Sequence, residues 1–205
     1  NTPCLKWNVI VIDDCSNDNT IKVAKNLLNK YRNLQIFSAG NRPRNKRWVG
    51  KNWPCSKAIE LTKSEWILFI DADVEINKTT LKRSLINAID GNIDLLSLAP
   101  KVDCSCIAEW MVQPIIAILL AIGFPISKTN DLNNKLAFAA GPYMLFRKSS
   151  YKAIGGHDAV AGEVVEDLAL AKCIKSNGYN LKFFLGVDAL TIRMYSNLKS
   201  LWEGW

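Results

Sequence analysis

Asp71 and Asp73, two carboxylates separated by one small residue, are the first residues of this sequence whose spacing indicates chemistry. They follow the apolar run 66–70, which has the length of a strand buried on both faces in a parallel sheet. In an extended chain both side chains would point to one spot beyond the carboxyl end of a central strand, where open α/β sheets bind ligands. Paired carboxylates there suit Mg²⁺ or Mn²⁺ carrying a phosphorylated substrate, and an acidic turn that closes a strand is the alternative.

Two further acidic pairs stand at predicted element ends. Asp13 and Asp14 follow an apolar strand, and Glu166 and Asp167 stand where a helix begins. Taken alone, the first pair is explained by capping between a strand and a helix. The second is explained by a carboxylate at a helix N-terminus, where the macrodipole favours negative charge.

Residues 40–51 form a predicted loop that contains several cations and no acid. The cations are Arg42, Arg44, Lys46, Arg47 and Lys51. Such a run is typical of a solvated loop, but its position between two strands also fits a phosphate clamp. His157, the only histidine, lies in a glycine-rich turn and is either a loop residue without chemistry or a contact to phosphate or acceptor.

Strands and helices that alternate along the chain must position these residues. The hydrophobic pattern predicts strands over 8–12, 34–37, 66–70, 93–99, 137–147, 181–184 and 189–192, and helices over 21–31, 52–62, 77–89 and 168–176. Strand–helix–strand order at the start indicates a parallel, right-handed βαβ arrangement. The expected fold class is therefore α/β, with a mostly parallel, Rossmann-like central sheet flanked by helices.

Residues 111–126 are apolar on all sides rather than along one stripe. Gln113 and two prolines interrupt the segment, and it is shorter than the roughly 20 residues that span a bilayer. We expect an interfacial or re-entrant helix within a single domain of residues 1–205, and a buried core helix is the alternative.

Composition limits the function classes further. A chain of 205 residues with 49% hydrophobic and 22% charged residues is an ordinary folded protein. Its net charge of +7 favours anionic partners such as nucleotide phosphates or an acidic membrane surface. Nucleic acid is the weakest option, because the cations lack interleaved aromatic residues. Scattered cysteines favour a reducing cytosol, and a start at Asn1 without methionine predicts a fragment.

The motifs in this order resemble the family 2 glycosyltransferases, which have the GT-A fold, over nearly the whole chain. The matching motifs are Val11-Ile12-Asp13-Asp14-Cys15-Ser16 with Thr20, Trp48-Val49-Gly50-Lys51, Asp71-Ala72-Asp73, Gly155-Gly156-His157, and Glu166-Asp167 with Leu170. The Trp-Val-Gly-Lys and Gly-Gly-His motifs are most similar to the branch that contains ceramide glucosyltransferase-like and hopanoid-associated enzymes. From the resemblance we expect the family's usual first strand to be missing from this chain.

On the donor side, the resemblance implies that Asp14, with Asp13 beside it, accepts hydrogen bonds from the base of a nucleotide-diphosphate sugar. It implies that Lys51 lies by the diphosphate. Asp73, with Asp71 nearby, would hold a divalent cation, Mg²⁺ or Mn²⁺, that bridges the diphosphate.

On the acceptor side, the resemblance implies that Asp167 is the general base that deprotonates a hydroxyl of a lipid or polyisoprenoid, at the cytoplasmic face of a membrane. His157, Glu166, Arg193 and Trp202 are the further candidates for contacts to acceptor or phosphate. Two other functions stay open: a nucleotidyl- or phosphoryl-transferase with the same metal site, and a truncated, non-catalytic domain that docks on membranes.

Overall fold

A computed structural model describes residues 5–104 and 107–193 and divides the chain into two compact units. Unit 1 is formed by the described residues of Asn1–Ser64 and Gly155–Glu166. Unit 2 is formed by those of Glu65–Ile154 and Asp167–Trp205. Trp202, one of the predicted contact residues, lies outside the described residues.

Strands and helices alternate through both units. The strands are β1 (Val9–Asp13), β2 (Leu34–Ser38), β3 (Trp66–Ile70), β4 (Val74–Ile76), β5 (Leu95–Val102), β6 (Tyr143–Arg147) and β7 (Leu181–Ile192). The helices are α1 (Thr20–Leu28), α2 (Asn52–Leu61), α3 (Thr80–Asp90), α4 (Ile107–Gly123), α5 (Ile126–Thr129), α6 (Lys148–Ala153), α7 (Gly156–Ala159) and α8 (Glu166–Ser176).

Unit 1 contains the predicted βαβ arrangement. Strands β1 and β2 pair in parallel, with Val9 opposite Leu34, and α1 connects them. Behind them Trp48 is buried and meets Trp53 edge to face, with 5.0 Å between the ring centroids. The Trp53 indole N–H donates to the carbonyl of Ala39 at 2.9 Å, which fixes the start of α2 against the end of β2.

Asn52 fastens a distant loop to α2. The N-cap position of this helix is Lys51, and Asn52, its first residue, has a buried side chain. Its amide nitrogen donates to the carbonyls of Val160, Ala161 and Glu163 at 3.0, 3.2 and 3.0 Å. The segment that leads to Glu166 is therefore held by a residue more than a hundred positions earlier.

Unit 2 is built on a five-stranded sheet with the order β3-β6-β5-β7-β4. Only β5 and β7 pair in parallel in this sheet, and the other three pairings are antiparallel. The α/β class is as expected, but the sheet is mixed rather than mostly parallel. Strand β3 was expected to be central. Among the described residues it is hydrogen-bonded to β6 alone, so it lies at the edge of this sheet, and it is only partly buried.

The strand directions bring five element ends to one end of this sheet. Strands β3, β5 and β7 run the same way, because β3 and β5 are both antiparallel to β6, and β5 is parallel to β7. Their carboxyl ends therefore lie beside the amino ends of β6 and β4. We call this end of the sheet the carboxyl edge. Ligands of open α/β sheets bind at such an edge.

The core of unit 2 lies between the sheet and α3. Its buried members are Ala88, Ile93, Leu96, Leu98, Tyr143, Leu145 and Leu190. The one hydroxyl in this cluster, that of Tyr143, is hydrogen-bonded to the Ser84 hydroxyl, so it is not left unsatisfied.

Helix α4 covers most of the segment for which the sequence left two interpretations. It is a helix with Pro114 inside it, and a short helix, α5, follows. Many of its large apolar side chains are exposed, so the interpretation as a buried core helix is wrong. Among the described residues, no helix has the length and apolarity that crossing a bilayer requires.

We expect Asn52→Ala to lower the free energy of unfolding by about 1–3 kcal/mol, because the carbonyls of Val160, Ala161 and Glu163 lose the hydrogen bonds that the buried amide donates to them. Urea unfolding of the variant would measure the change. Asn45→Ala, a substitution of an exposed amide in the loop before α2, is the matched control and should change stability little. Equal stability of the two variants would contradict the role given to Asn52.

Candidate functional site

Unit 1 holds the predicted nucleotide-binding acids in two different environments. The Asp13 carboxylate accepts the backbone N–H of Ser16 at 3.2 and 3.3 Å, in a turn before α1. The N-cap position of α1 is Asn19, so Asp13 does not cap the helix as the capping interpretation expected. The Asp14 carboxylate instead pairs with Arg42 at 2.6 Å. Arg42 also donates to the carbonyls of Trp48 and Gly50, at 3.2 and 3.1 Å. Asp14 is thus held in place by the basic loop.

Other cations of the loop also reach acids far along the chain. Lys46 pairs with Asp158, and Lys51 pairs with Glu166 at 3.1 Å. The structure thereby brings together Lys51 and Glu166, two of the residues that the sequence singled out. Because these pairs are partly exposed, each contributes little to stability, about 0–1 kcal/mol, and their effect is chiefly to fix positions.

His157 lies in α7 and is only 3% exposed. Burial, and secondarily the charge of Lys51, lower the pKa of His157 to about 3, so the imidazole is neutral near pH 7. A neutral buried ring does not offer the positive charge with which a histidine would bind phosphate. Gly155 and Gly156, which precede it, both have positive φ, and a Cβ on Gly155 would lie 2.9 Å from the Cβ of Ala159. The Gly-Gly-His motif is therefore a tight structural turn.

In unit 2, Asp71 and Asp73 lie at the carboxyl edge. The backbone between them is a turn, closed by a hydrogen bond of 3.3 Å from the Val74 N–H to the Asp71 carbonyl. The prediction that the backbone is extended from Asp71 to Asp73 is thus wrong, because the chain reverses here to enter β4. Asp71 is half-buried and Asp73 is exposed.

Two carboxylates at a strand end fit a magnesium or manganese ion as a donor set. Among residues 5–104 and 107–193, no three His, Cys, Asp or Glu side chains form a group that could hold a metal ion. Mg²⁺ is usually bound by one or two carboxylates, with phosphate oxygens and waters filling the other positions. Asp71 and Asp73 therefore fit a metal site that a diphosphate completes.

Asp167 is brought to the same edge by a backbone contact. One carboxylate oxygen accepts the N–H of Gly141 at 2.8 Å, and the other accepts the N–H of Leu168 at 2.7 Å. Gly141 precedes β6 by two residues, and Tyr143 of β6 pairs with Ile70, the residue before Asp71. The register therefore places Asp167 and Asp71 at one end of the β3–β6 pair, nearly a hundred residues apart in sequence.

Arg193 follows β7 and joins this edge as well. Val74 pairs with Ile192, so the residues before and after them, Asp73 and Arg193, are neighbours in the register. Arg193 donates to the carboxylate of Asp103 at 2.9 Å. That hydrogen bond and the charge of Asp103, with smaller contributions from other acids, raise the pKa of Arg193 above its ordinary value.

Three features of these two units were not predicted from the sequence: the position of Asp103, the Gly141 N–H as a donor to Asp167, and the pairing of Arg42 with Asp14. Asp103 follows β5 as Asp71 follows β3, so its position after an apolar strand was a usable signal. The Gly141 N–H, which holds Asp167, and the pairing of Arg42 with Asp14 had none, because both join residues that are distant along the chain.

A model of the family described as glycosyl transferase family 2 matches residues 1–155. The chain belongs to glycosyl transferase family 2. Among curated relatives, the 4,4'-diaponeurosporenoate glycosyltransferases of Staphylococcus haemolyticus and Staphylococcus aureus are each 28% identical to this family 2 chain, over 98% and 97% of its length. The chain spans about half the length of these relatives, 53% and 52%.

Solved structures of GT-A glycosyltransferases share its fold. A mannosyltransferase of Pyrobaculum calidifontis, in complex with GDP-Man and Mn²⁺, has a TM-score of 0.67 and 17% identity, covering 95% of this chain and 50% of its own. TarS of S. aureus in complex with UDP-GlcNAc has a TM-score of 0.61 and 20% identity, covering 95% and 51%. The family and the fold are therefore confirmed, and the narrower likeness to the ceramide and hopanoid branch stays a prediction.

Burial of His157 gives this family 2 chain a testable pH dependence. Between its ordinary pKa of 6.5 and its folded pKa of about 3, the unfolded state binds a proton that the folded state does not. This contribution to stability is present above pH 6.5 and is lost as the pH falls toward 3, by up to about 1.4 kcal/mol per pH unit.

Urea unfolding of the wild type and His157→Gln across this pH range isolates the effect. We expect the stability difference between the two proteins to narrow as the pH falls, because the variant has no imidazole to protonate. A difference that is the same at every pH would show that His157 is not held neutral.

Proposed function

We propose that the protein is a metal-dependent, inverting glycosyltransferase that moves a sugar from a nucleotide-diphosphate sugar to a hydroxyl of a lipid or polyisoprenoid acceptor. The observation that carries this proposal is the carboxyl edge of unit 2, where the Asp71–Asp73 turn and the Asp167 carboxylate both lie at one end of β3 and β6. Membership in family 2 supports transfer from a nucleotide-sugar donor.

Asp71 and Asp73 are the residues that would hold a divalent cation on the donor diphosphate. A bound cation would supply positive charge to the leaving diphosphate, on which negative charge grows as the bond to the sugar breaks. Mn²⁺ accompanies GDP-Man in the Pyrobaculum mannosyltransferase complex, which supports the choice of a divalent ion. Arg193, next to Asp73 in the register, is a second positive group in reach of this edge.

Asp167 is the proposed general base. In this mechanism its carboxylate takes the proton of the acceptor hydroxyl while the hydroxyl oxygen bonds to the anomeric carbon and the bond to the diphosphate breaks. One such displacement inverts the anomeric configuration. The hydrogen bonds from Gly141 and Leu168 hold the carboxylate in one orientation.

Unit 1 would contribute the nucleotide contacts. Asp14 would accept hydrogen bonds from the base, with Arg42 fixing the carboxylate, and Lys51 would lie by the diphosphate while bound to Glu166.

A lipid acceptor is the finer part of the proposal. The name of the curated relatives, which act on 4,4'-diaponeurosporenoate, suggests an apolar acceptor. The exposed apolar side chains of α4 are consistent with an acceptor of this kind.

We expect Asp167→Asn to lower kcat by ~10²–10⁴-fold, because the amide cannot accept the proton, while the affinity for the donor changes little. Release of nucleoside diphosphate from a panel of UDP- and GDP-sugars, with a membrane lipid extract as acceptor, would measure turnover. Asp90→Asn, at the end of α3 and exposed, is the matched control and should keep full activity.

Two outcomes would contradict this assignment. Turnover by Asp167→Asn at the wild-type rate would remove the residue from its role as the base. Release of pyrophosphate instead of nucleoside diphosphate would indicate a nucleotidyl-transferase with the same metal site.

We expect Asp73→Asn to weaken Mn²⁺-dependent donor binding by about tenfold or more, because the amide has lost the charge that a hard cation prefers. Calorimetric titration of the nucleotide-sugar with and without Mn²⁺ would measure it, with Asp90→Asn again as the control. Donor binding that does not depend on Mn²⁺ in the wild type would exclude the metal from the mechanism.

A further inference from the structure

Helix α4 has its polar and apolar faces reversed relative to an ordinary surface helix. Its only charged residue, Glu109, is fully buried, and Gln113, one turn later on the same face, is 8% exposed. The large apolar residues point the other way and are 58–80% exposed: Ile107, Trp110, Met111, Ile115, Ile118, Leu119 and Ile122. We call these seven residues the outer face of α4.

The outer face is one continuous stripe. Positions 107, 111, 115, 118 and 122 recur at intervals of three and four, which places them on one side of a helix. Soluble monomers rarely expose a contiguous apolar patch larger than roughly 300–600 Å², and larger patches mark interaction sites. Seven large side chains, each more than half exposed, reach that size.

The start of α4 lies near the carboxyl edge, because the helix begins at Ile107, soon after β5 ends at that edge with Val102. Glu109, in the first turn, is buried, and its charge is the last of the causes that raise the pKa of Arg193. The polar residues of α4 are thus buried in the protein, and its apolar residues are left outward.

Charge and shape favour a bilayer as the occupant of this face. The outer face carries no charge, and the exposed cations Lys101 and Lys128 lie before and after the helix in the chain. The net charge of the protein is +7. A helix about 25 Å long with an uncharged apolar outer face, with Trp110 in its first turn and with a lysine before and after it in the chain, suits the interface of an anionic bilayer.

We propose that the outer face of α4 inserts into the headgroup region of an anionic bilayer and holds the carboxyl edge of unit 2 at the membrane surface. An acceptor hydroxyl that lies at the lipid surface would then reach Asp167 without its chain leaving the bilayer. This last step rests on the proposed transfer to a lipid, whereas the docking itself does not.

Co-sedimentation of the purified protein with vesicles tests the docking. Wild type should bind vesicles of phosphatidylglycerol and phosphatidylcholine, and the double variant Ile115→Ser, Ile118→Ser should bind at least about tenfold more weakly, because it removes apolar area from the inserted face. The matched control is Ile86→Ser, Ile89→Ser, which makes the same change at exposed isoleucines of α3 and should bind as wild type does.

Three results would overturn the proposal. The first is absence of vesicle binding by the wild type. The second is equal binding by the α4 double variant and the wild type. The third is a wild-type dimer that the α4 variant converts to a monomer while neither protein binds vesicles, which would assign the outer face to a second copy of the chain. Binding to pure phosphatidylcholine as tight as to the anionic vesicles would overturn the choice of anionic headgroups.

Donor binding and transfer separate this proposal from the proposed function. The α4 double variant should bind the nucleotide-sugar as wild type does, because the outer face points away from Glu109 and Arg193. Vesicle binding without transfer to any lipid would leave the docking intact and contradict the proposed function. Transfer to a detergent-solubilised lipid without vesicle binding would contradict the docking and leave the proposed function intact.

Discussion

The hydrogen bond between the Gly141 N–H and the Asp167 carboxylate joins the parts of unit 2 on which its chemistry depends. It ties the start of α8 to the turn before β6, and the pairing of Tyr143 with Ile70 then fixes that turn beside Asp71. A carboxylate that accepts two backbone N–H groups is held in one orientation. The proposed base and the proposed metal ligands thus share one rigid support.

In unit 1, ion pairs and one buried amide hold the candidate residues in position. The cations of the loop before α2 are partly committed to Asp14, Asp158 and Glu166, so this loop is more than a solvated connection. Asn52 adds three hydrogen bonds to the segment that leads to Glu166. Partly exposed ion pairs contribute little energy, so the buried amide contributes more to the stability of this arrangement than each of these pairs does.

Helix α4 illustrates how one sequence pattern permits two structures. Its composition is apolar on all sides, which fits a core helix and an interfacial helix equally well. Glu109 and Gln113 decide between them, because burial of these two polar groups turns the apolar residues outward. Which of the residues of α4 lose their contact with water is decided only in the folded chain.

The sequence by itself determined the family, the β1-α1-β2 unit and the position of the acidic motifs at element ends, because these follow from local periodicity and from motifs of a few residues. It did not determine that β3 lies at the edge of a mixed sheet, that the chain turns between Asp71 and Asp73, or that His157 is buried and neutral. Those features depend on which strands pair and which groups lose water. Pairing and desolvation are set by contacts between residues far apart in the chain, so only the tertiary structure decided them.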